Sequence, residues 1–358
     1  MELRRDNLLN NKHRWKNMIY FLNYCDNALN ELEDSIVNFE EINGLYDILA
    51  TLLNIYFEEL YARGYLKNYE RQDILTDRPR GKMNIAKSYN TGAIYRNKVY
   101  CKVTNITIDN KYTRIIKAAL VSLLQMKSII KQNILNKVIC NIQILYNVQD
   151  IVVDKISLLN MSYDVNIPQH YIKAINISKF ILNQWMLIDT NGMQDLVSVQ
   201  KDRECYIWEK FLHNYIKEYI NSLNIGLTVT KEQYTLGIEE STKEKITRQP
   251  DISIYGRKDD FMLLLDAKWY ENPKMDIFYN QLCAHGKIMD LRQNKGTRVG
   301  VVCGHNRADK KKINETGGKH NKTYEIYMFI INIEQDFELV KIDIQNMINE
   351  LLEINITT

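Results

Sequence analysis

The stretch that decides the fold of the C-terminal half reads Gln249-Pro250-Asp251-Ile-Ser-Ile-Tyr255-Gly256-Arg-Lys-Asp-Asp260-Phe-Met-Leu-Leu-Leu265-Asp266-Ala267-Lys268. Two runs rich in strand-forming residues flank a short polar segment that contains a glycine. This arrangement predicts a β-hairpin whose turn covers residues 256–260. We expect the second strand to be almost continuously apolar, and therefore buried, and to end in Asp-Ala-Lys.

Side chains alternate between the two faces of a strand, so Asp266 and Lys268 should share one face while Ala267 points the other way. Asp251 begins the partner strand and should lie beside them. Placing two carboxylates and an ammonium at the end of a buried hairpin costs free energy unless something compensates. A Mg²⁺ ion would compensate, because it prefers oxygen ligands. We expect Asp251, Asp266 and the main-chain carbonyl of Ala267 to hold it, with Mn²⁺ as a substitute.

A metal at this position predicts hydrolysis of a phosphodiester, because it lowers the pKa of a bound water and offsets charge on the scissile phosphate. Lys268 would orient or deprotonate that water, or stabilise the transition state, and burial would depress the pKa of its ammonium. The pattern alone leaves another interpretation open, in which the hairpin ends in a solvated Asp–Lys pair.

Two polar residues on the flanking helices are secondary candidates for the same site. Glu209 lies on the predicted helix before the hairpin and would add a third acidic group. Gln281 lies on the predicted helix after the hairpin and would reach the phosphate or the metal-bound water. The alternative for each is an ordinary solvent-facing helix residue.

Composition limits the class of protein. The chain has 358 residues, enough for about two domains, and its 45% hydrophobic and 25% charged residues are typical of a soluble globular protein. The net charge of +3 means that nucleic-acid binding would need a local basic patch. The six Cys form no C-x-x-C pair, which argues against zinc and favours a reducing cytoplasm. We expect no signal peptide and no membrane span.

Hydrophobic periodicity predicts an α/β (α+β) protein with a mixed central sheet flanked by helices in its second half. Pro168 marks a plausible boundary, so we expect domains at 1–165 and 166–358. Helices are predicted at 14–33, 45–62, 112–131, within 132–148, after Pro168, and at 203–222, 276–292 and 340–353. Strands are predicted at 100–108, 226–238, 251–255, 261–268, 298–303 and 324–333.

The hairpin resembles the signature of the PD-(D/E)XK nuclease superfamily, with Pro250-Asp251 and Asp266-Ala267-Lys268 as its elements. The whole chain is similar to the McrC family, the nuclease subunits of McrBC-type systems that restrict DNA containing 5-methylcytosine. Blocks in matching order carry this likeness: Trp15–Leu22, Arg80–Lys87, Asp109–Lys117, Trp208–Phe211, the hairpin and Gln281-Leu282.

The resemblance implies a division of labour between two proteins. The C-terminal half would cut double-stranded DNA, and the N-terminal half would dock on a hexameric, McrB-like AAA+ GTPase and stimulate it. In agreement, the chain has no G-x-x-x-x-G-K-[ST] phosphate-binding loop of its own. Three positions depart from or vary within the family: Thr113 replaces the usual Asn, His285 replaces the frequent Tyr, and position 209 is not constant.

Two other functions remain compatible with the sequence. The chain could be a non-catalytic activator of an AAA+ ring, or a stand-alone nuclease. A basic patch at Arg307 and Lys310–Lys312 would either follow DNA phosphates or be a solvated loop. Residues 82–111 are also locally basic, and part of that surface would face the motor.

Overall fold

The structure is a computed structural model that describes residues 2–25, 39, 42–151, 167–186, 196–238, 245–256, 262–269, 274, 276, 278–279, 281–283, 285, 297–317 and 322–353. The chain forms two compact units. The large unit contains Met1–Ile48 and Met193–Thr358, and the small unit contains Leu49–Gly192. This division differs from the expected boundary between residues 165 and 166, because the first 48 residues belong with the C-terminal half.

The N-terminal helix joins the large unit through specific polar contacts. Asn17 donates its side-chain amide to the carbonyls of Ile333 and Gln335 at 2.8 and 2.7 Å. Arg14 forms an ion pair with the buried Glu204 at 3.1 Å. These contacts span more than 180 positions of sequence, so the periodicity that predicts the helix does not reveal where it packs.

Helices form the core of the small unit. They are α2 (Leu45–Arg63, beginning in the large unit), α4 (Lys111–Gln125), α5 (Gln132–Ile144) and α6 (Gln169–Met186), with the short α3 (Ile85–Asn90) outside this group. Their apolar faces bury Leu52, Leu53, Ile116, Leu120, Val138 and Ile175. A buried amide pair, Asn141 to Asn54 at 2.8 Å, satisfies polar groups inside this core.

The start of α4 coincides with one of the sequence blocks that carry the family likeness. Asn110 caps the helix and accepts hydrogen bonds from the main-chain N–H groups of Tyr112 and Thr113. The Thr113 hydroxyl accepts in return from the N–H of Asn110, which completes a capping box. Threonine therefore fulfils a helix-capping role at this position.

The small unit also contains a three-stranded antiparallel sheet, which we call the ribbon. It consists of β1 (Asn68–Thr76), β3 (Val99–Thr107) and the short β2 (Lys82–Met83), in the order β1-β3-β2. The strand β1 was not expected, because most of its side chains are exposed and no apolar alternation marks it. Gly81 adopts a φ of +74°, and a Cβ there would lie 2.4 Å from the carbonyl oxygen of Lys102, so this position requires glycine.

The large unit is built on a mixed six-stranded sheet in the order β10-β11-β9-β8-β7-β4. The strands are β4 (Leu227–Thr230), β7 (Ile252–Gly256), β8 (Met262–Trp269), β9 (Thr297–His305), β10 (Asp309–Gly317) and β11 (Lys322–Asn332). The pairs β8–β9 and β9–β11 are parallel, and the others are antiparallel. This confirms the predicted α/β class and mixed sheet. A separate two-stranded sheet pairs β5 (Tyr234–Ile238) with β6 (Lys245–Arg248).

Among the described residues of the large unit, the long helices are α1 (Glu2–Cys25), α7 (Leu196–Leu223) and α8 (Phe337–Leu352). They share an aromatic core in which Trp208 of α7 packs against Phe21 and Phe211. The Trp208 indole also donates to the carbonyl of Val302 in β9 at 3.2 Å. Helix α7 is thereby fixed across the sheet. No helix among the described residues is long and apolar enough to span a membrane.

An ionic network at the outer edge of the sheet predicts pH-dependent stability. Glu325 accepts hydrogen bonds from Arg298, Tyr327 and Lys312. Burial opposes ionisation, but these donors lower the pKa of Glu325 from 4.5 to about 2. A carboxyl whose pKa is lower when folded stabilises the protein above its unfolded pKa, and this contribution disappears as the pH falls through the folded value.

We therefore expect Glu325→Gln to lower the free energy of unfolding at pH 7 by about 1 kcal/mol, allowing for partial solvent screening. The difference from wild type should shrink between pH 4.5 and about 2. Urea unfolding at several pH values measures it. Glu350→Gln is the control, because its pair with Lys310 is half-exposed and should contribute less. A constant difference across this pH range would contradict the assignment.

Candidate active site

The register of the hairpin brings the predicted acidic residues together. Strands β7 and β8 are antiparallel, with Ile252 opposite Leu265. Asp251, one position before Ile252, therefore lies beside Asp266 at the end of the hairpin. The two predicted strands are confirmed, and residues 257–260 of the predicted turn lie outside the described residues.

Asp251, Asp266 and Lys268 converge at this end of the sheet. The Nζ of Lys268 lies 3.3 Å from Oδ2 of Asp266 and 3.9 Å from Oδ2 of Asp251. Oδ2 of Asp251 also accepts a hydrogen bond from the main-chain N–H of Ala267 at 2.9 Å. The side chain of Ala267 is buried, as expected from strand alternation. Metal binding by its carbonyl remains a prediction.

The two carboxyl groups have opposite pKa shifts. Burial, together with the charges of Asp266 and Glu209, raises the pKa of Asp251 to about 6. Burial also opposes ionisation of Asp266, but the hydrogen bond from His285 and the charge of Lys268 outweigh it and lower the pKa of Asp266. The site therefore holds one firmly ionised carboxylate, Asp266, beside a second, Asp251, that burial makes easier to protonate.

The expected depression of the Lys268 pKa is wrong for this structure. Burial alone would lower the pKa of the ammonium, but the adjacent charges of Asp266 and Asp251 raise it above its ordinary value. The sequence argument considered burial without the two carboxylates that the fold brings within 4 Å of the same ammonium. Lys268 is thus a protonated, positively charged group at neutral pH.

Helix α7 brings Glu209 to the edge of the site, where it forms an ion pair with a second lysine, Lys231. Lys231, just after β4, also lies 3.7 Å from Oδ1 of Asp251. Asp251 therefore has one ammonium near each carboxylate oxygen. The sequence analysis missed Lys231, because no local pattern distinguishes it from a solvated surface lysine.

Two histidines also approach the carboxylates. His285 is 1% exposed, and its Nε2 lies 3.2 Å from Oδ1 of Asp266. The ring of His213, on α7, lies 3.3 Å from the main-chain carbonyl of Asp251. No local motif marked either contact, although position 285 had been noted as a departure from the family pattern.

Gln281 has a less direct relation to the site. It is half-buried in helical geometry, and the next residue, Leu282, is fully buried in the apolar core over the sheet. Within the described residues, Gln281 forms no hydrogen bond with Asp251, Asp266 or Lys268. Its contact with a phosphate or a metal-bound water stays a prediction.

The donor set suits Mg²⁺ better than a metal that needs a closed protein cage. Oδ2 of Asp266 is buried and accepts no hydrogen bond from the described residues, and its close neighbour is the Lys268 ammonium. The described part of the chain contains no group of three or more His, Cys, Asp or Glu arranged to bind a metal. Mg²⁺ commonly uses one or two carboxylates together with waters and substrate phosphates, which fits Asp251 and Asp266.

The predicted basic patch is partly neutralised and lies on a strand. Lys310 and Lys312 belong to β10, where they pair with Glu350 and Glu325. The loop interpretation is therefore wrong for these two lysines. The ion pairs reduce the net positive charge available for DNA phosphates at this edge of the sheet.

Comparisons with known proteins agree along most of the chain. A family model described as "McrBC 5-methylcytosine restriction system component" matches residues 4–281. A protein of Escherichia coli (strain K12) described as "Type IV methyl-directed restriction enzyme EcoKMcrBC" is 22% identical over 365 residues, covering 94% of this chain and 98% of that protein.

A solved structure supports the fold. It is the refined half-complex from the tetradecameric assembly of Thermococcus gammatolerans McrB AAA+ hexamers with bound McrC. The alignment has a TM-score of 0.51 at 13% sequence identity, and it covers 94% of this chain and 76% of that one. At this identity the likeness concerns the fold.

Proposed function

This chain belongs to the McrBC 5-methylcytosine restriction system component family, and from that membership we propose that it is the DNA endonuclease subunit of a two-component, nucleotide-dependent restriction complex. It would hydrolyse phosphodiesters of double-stranded DNA with Mg²⁺ in a PD-(D/E)XK site. The observation that carries the proposal is the convergence of Asp251, Asp266 and Lys268 at the end of the β7–β8 hairpin. A cytoplasmic location, expected from the scattered cysteines, is part of the same proposal.

In this proposal Asp251 and Asp266 hold the metal. When bound, Mg²⁺ would lower the pKa of a coordinated water and offset negative charge on the scissile phosphate. The Ala267 N–H holds Oδ2 of Asp251 in place at 2.9 Å. Ser253 and Leu265 are fully buried, so the strands next to the two carboxylates are packed inside the large unit. The carboxylates are therefore presented by a rigid part of the fold.

Lys268 would act through its positive charge. Its ammonium, beside Asp266 and Asp251, would stabilise the anionic transition state and orient the attacking water. Because Lys268 already lies within 4 Å of both carboxylates, a phosphate bound at the metal would also lie near this ammonium.

Lys231 and Glu209 would adjust the charge at the edge of the site. The ion pair between them leaves Lys231 close to Asp251. Its ammonium balances part of the negative charge of Asp251 when no metal is bound. Glu209 acts here as the partner of Lys231, and direct metal binding by Glu209 remains a prediction.

The proposed partner is a hexameric, McrB-like AAA+ GTPase, docked through the N-terminal half. The solved half-complex similar in fold contains McrB AAA+ hexamers with bound McrC. In this chain the small unit carries an accessible apolar surface on the ribbon and on residues 85–95 directly after β2. Its exposed members are Tyr69, Met83, Ile85, Tyr89, Tyr95 and Ile106, each at least 50% exposed. Exposed apolar side chains are common at interaction surfaces, so this part of the small unit would dock on the partner.

We expect the double variant Ile85→Ser/Tyr95→Ser to reduce stimulation of the partner's nucleotide hydrolysis about tenfold or more, since a few apolar and aromatic anchors carry most interface energy. Both side chains are strongly exposed, so their loss should leave the fold intact. The measurement is nucleotide hydrolysis by the partner, titrated with wild type or variant.

Tyr146→Ser is the matched control, because Tyr146 is 76% exposed in the same unit but lies outside both the ribbon and residues 85–95. It should stimulate hydrolysis as wild type does. Full stimulation by the double variant would exclude this surface as the docking site.

The test of the proposed function combines this chain with its candidate AAA+ partner, Mg²⁺, nucleotide, and duplex DNA with or without 5-methylcytosine. We expect cleavage that requires both proteins, the metal and hydrolysable nucleotide. Cleavage by this chain alone, without partner or nucleotide, would indicate a stand-alone nuclease. Stimulated nucleotide hydrolysis with no cleavage of either DNA would indicate a non-catalytic activator.

A further inference from the structure

His285 is buried directly beside Asp266, one of the proposed metal ligands. Its side chain is 2% exposed, and the Asp266 side chain that it contacts is 3% exposed. Residues 281–283 and 285 are helical. On the same segment, Phe278 and Leu282 are buried in the apolar core formed with β8, β9 and β11. The imidazole therefore has little freedom to move relative to Asp266.

The direction of the hydrogen bond follows from the chemistry of the two groups. An ionised carboxylate only accepts hydrogen bonds, and Asp266 is paired with the Lys268 ammonium at 3.3 Å. The distance between Nε2 and Oδ1 is 3.2 Å. Nε2 must therefore carry the hydrogen and donate a hydrogen bond to Oδ1 of Asp266. Nδ1 is buried and has no hydrogen-bond partner among the described residues, which leaves Nε2 as the functional nitrogen of this ring.

The two oxygens of Asp266 then have different surroundings. Oδ1 is occupied by His285, whereas Oδ2 accepts no hydrogen bond from the described residues and faces Lys268. A carboxylate tethered through one oxygen cannot rotate freely, so the other oxygen keeps a constant direction. Groups that hydrogen-bond to a metal ligand in this way set its orientation and its affinity for the metal.

We propose that His285 is a positioning residue for metal binding: it donates Nε2–H to Oδ1 of Asp266 and so keeps Oδ2 directed toward the divalent cation. This inference rests on the proposed function, because it concerns the same metal site. It adds a residue that touches neither substrate nor metal and acts through Asp266.

The test compares two variants of the full chain, His285→Gln and His285→Met. Glutamine and methionine have similar length and flexibility, but only glutamine can donate a hydrogen bond to Asp266. Binding of Mn²⁺ is measured by electron paramagnetic resonance or calorimetry without the partner, both with and without duplex DNA. Cys283→Ala is the control for packing loss on the same helix, since Cys283 packs against the same core. Thermal unfolding is measured for every variant.

We expect His285→Met to weaken Mn²⁺ binding about 10- to 100-fold, the usual effect of removing such a partner. His285→Gln and Cys283→Ala should bind close to wild type. Equal affinity in the folded Met and Gln variants would overturn the inference, whether both bind well or both bind poorly. If the wild type binds no Mn²⁺ even with duplex DNA present, the proposed metal-dependent function fails and the role of His285 fails with it.

A second measurement requires no substitution. In wild-type protein with ¹⁵N-labelled histidine, nuclear magnetic resonance identifies which ring nitrogen of His285 carries hydrogen. We expect a protonated Nε2. An unprotonated Nε2 would overturn the inference, because that nitrogen could not donate to Asp266.

Discussion

Replacing Asp266 by asparagine is expected to reduce DNA cleavage by the assembled complex at least about 10³-fold, because the site would lose the ionised carboxylate that we propose as a metal ligand. Asp266 is 2% exposed, its Oδ2 accepts no hydrogen bond from the described residues, and it forms an ion pair with Lys268. Asparagine keeps the size of the side chain but carries no charge. The metal would then depend on Asp251 alone.

The same variant should still stimulate the partner's nucleotide hydrolysis, because the proposed docking surface belongs to the small unit. Cleavage and nucleotide hydrolysis are therefore measured in one reaction. Asp343→Asn is the matched control, since Asp343 lies on α8 and its side chain accepts a hydrogen bond from Gln335. Full cleavage by Asp266→Asn would exclude the assigned site, whereas loss of both activities would point to a defect in folding or docking.

Replacing Trp208 by alanine is expected to lower the free energy of unfolding of the large unit by about 3–5 kcal/mol, the cost of removing a large buried aromatic side chain. Trp208 is fully buried and contacts Phe21, Phe211 and Trp269 through its ring. Its loss would also leave the carbonyl of Val302 without its indole donor. The effect therefore combines a cavity with a broken hydrogen bond.

The measurement is urea unfolding of the full chain followed by circular dichroism. Tyr206→Ala is the control, because Tyr206 lies on the same helix but is 36% exposed, and its loss should cost well under half as much. Trp208→Phe should fall between them, since it keeps part of the ring packing but loses the donor. Equal costs for Trp208→Ala and Tyr206→Ala would contradict the position of Trp208 at the centre of this core.

The folded hairpin illustrates what local pattern can predict. Alternation along β8 placed Asp266 and Lys268 on one face and Ala267 on the other, and the register of β7 with β8 then brought Asp251 beside them. The helices followed from their apolar periodicity in the same way. Such features depend on neighbours within one strand pair or one helix turn, so the sequence contains most of the information that they require.

Exposed strands were harder to predict. The side chains of β1 are mostly exposed, and β10 has three consecutive lysines after its first residue, Asp309, so neither strand has the apolar alternation that identifies a half-buried strand. These two strands form because each pairs with a neighbouring strand. For β1 the partner is β3, which begins 23 positions after β1 ends, so the pairing depends on tertiary structure and local sequence does not reveal it.

Local spacing along the chain was enough to predict the fold class, the hairpin and the charged residues of that hairpin. The folded structure was needed to show that residues 1–48 belong to the large unit, that Lys231 neighbours Asp251, and that His285 lies 3.2 Å from Asp266. It also reversed the expected pKa shift of Lys268. Charge interactions and hydrogen bonds depend on distance in space, and folding sets those distances between residues whose separation along the chain carries no such information.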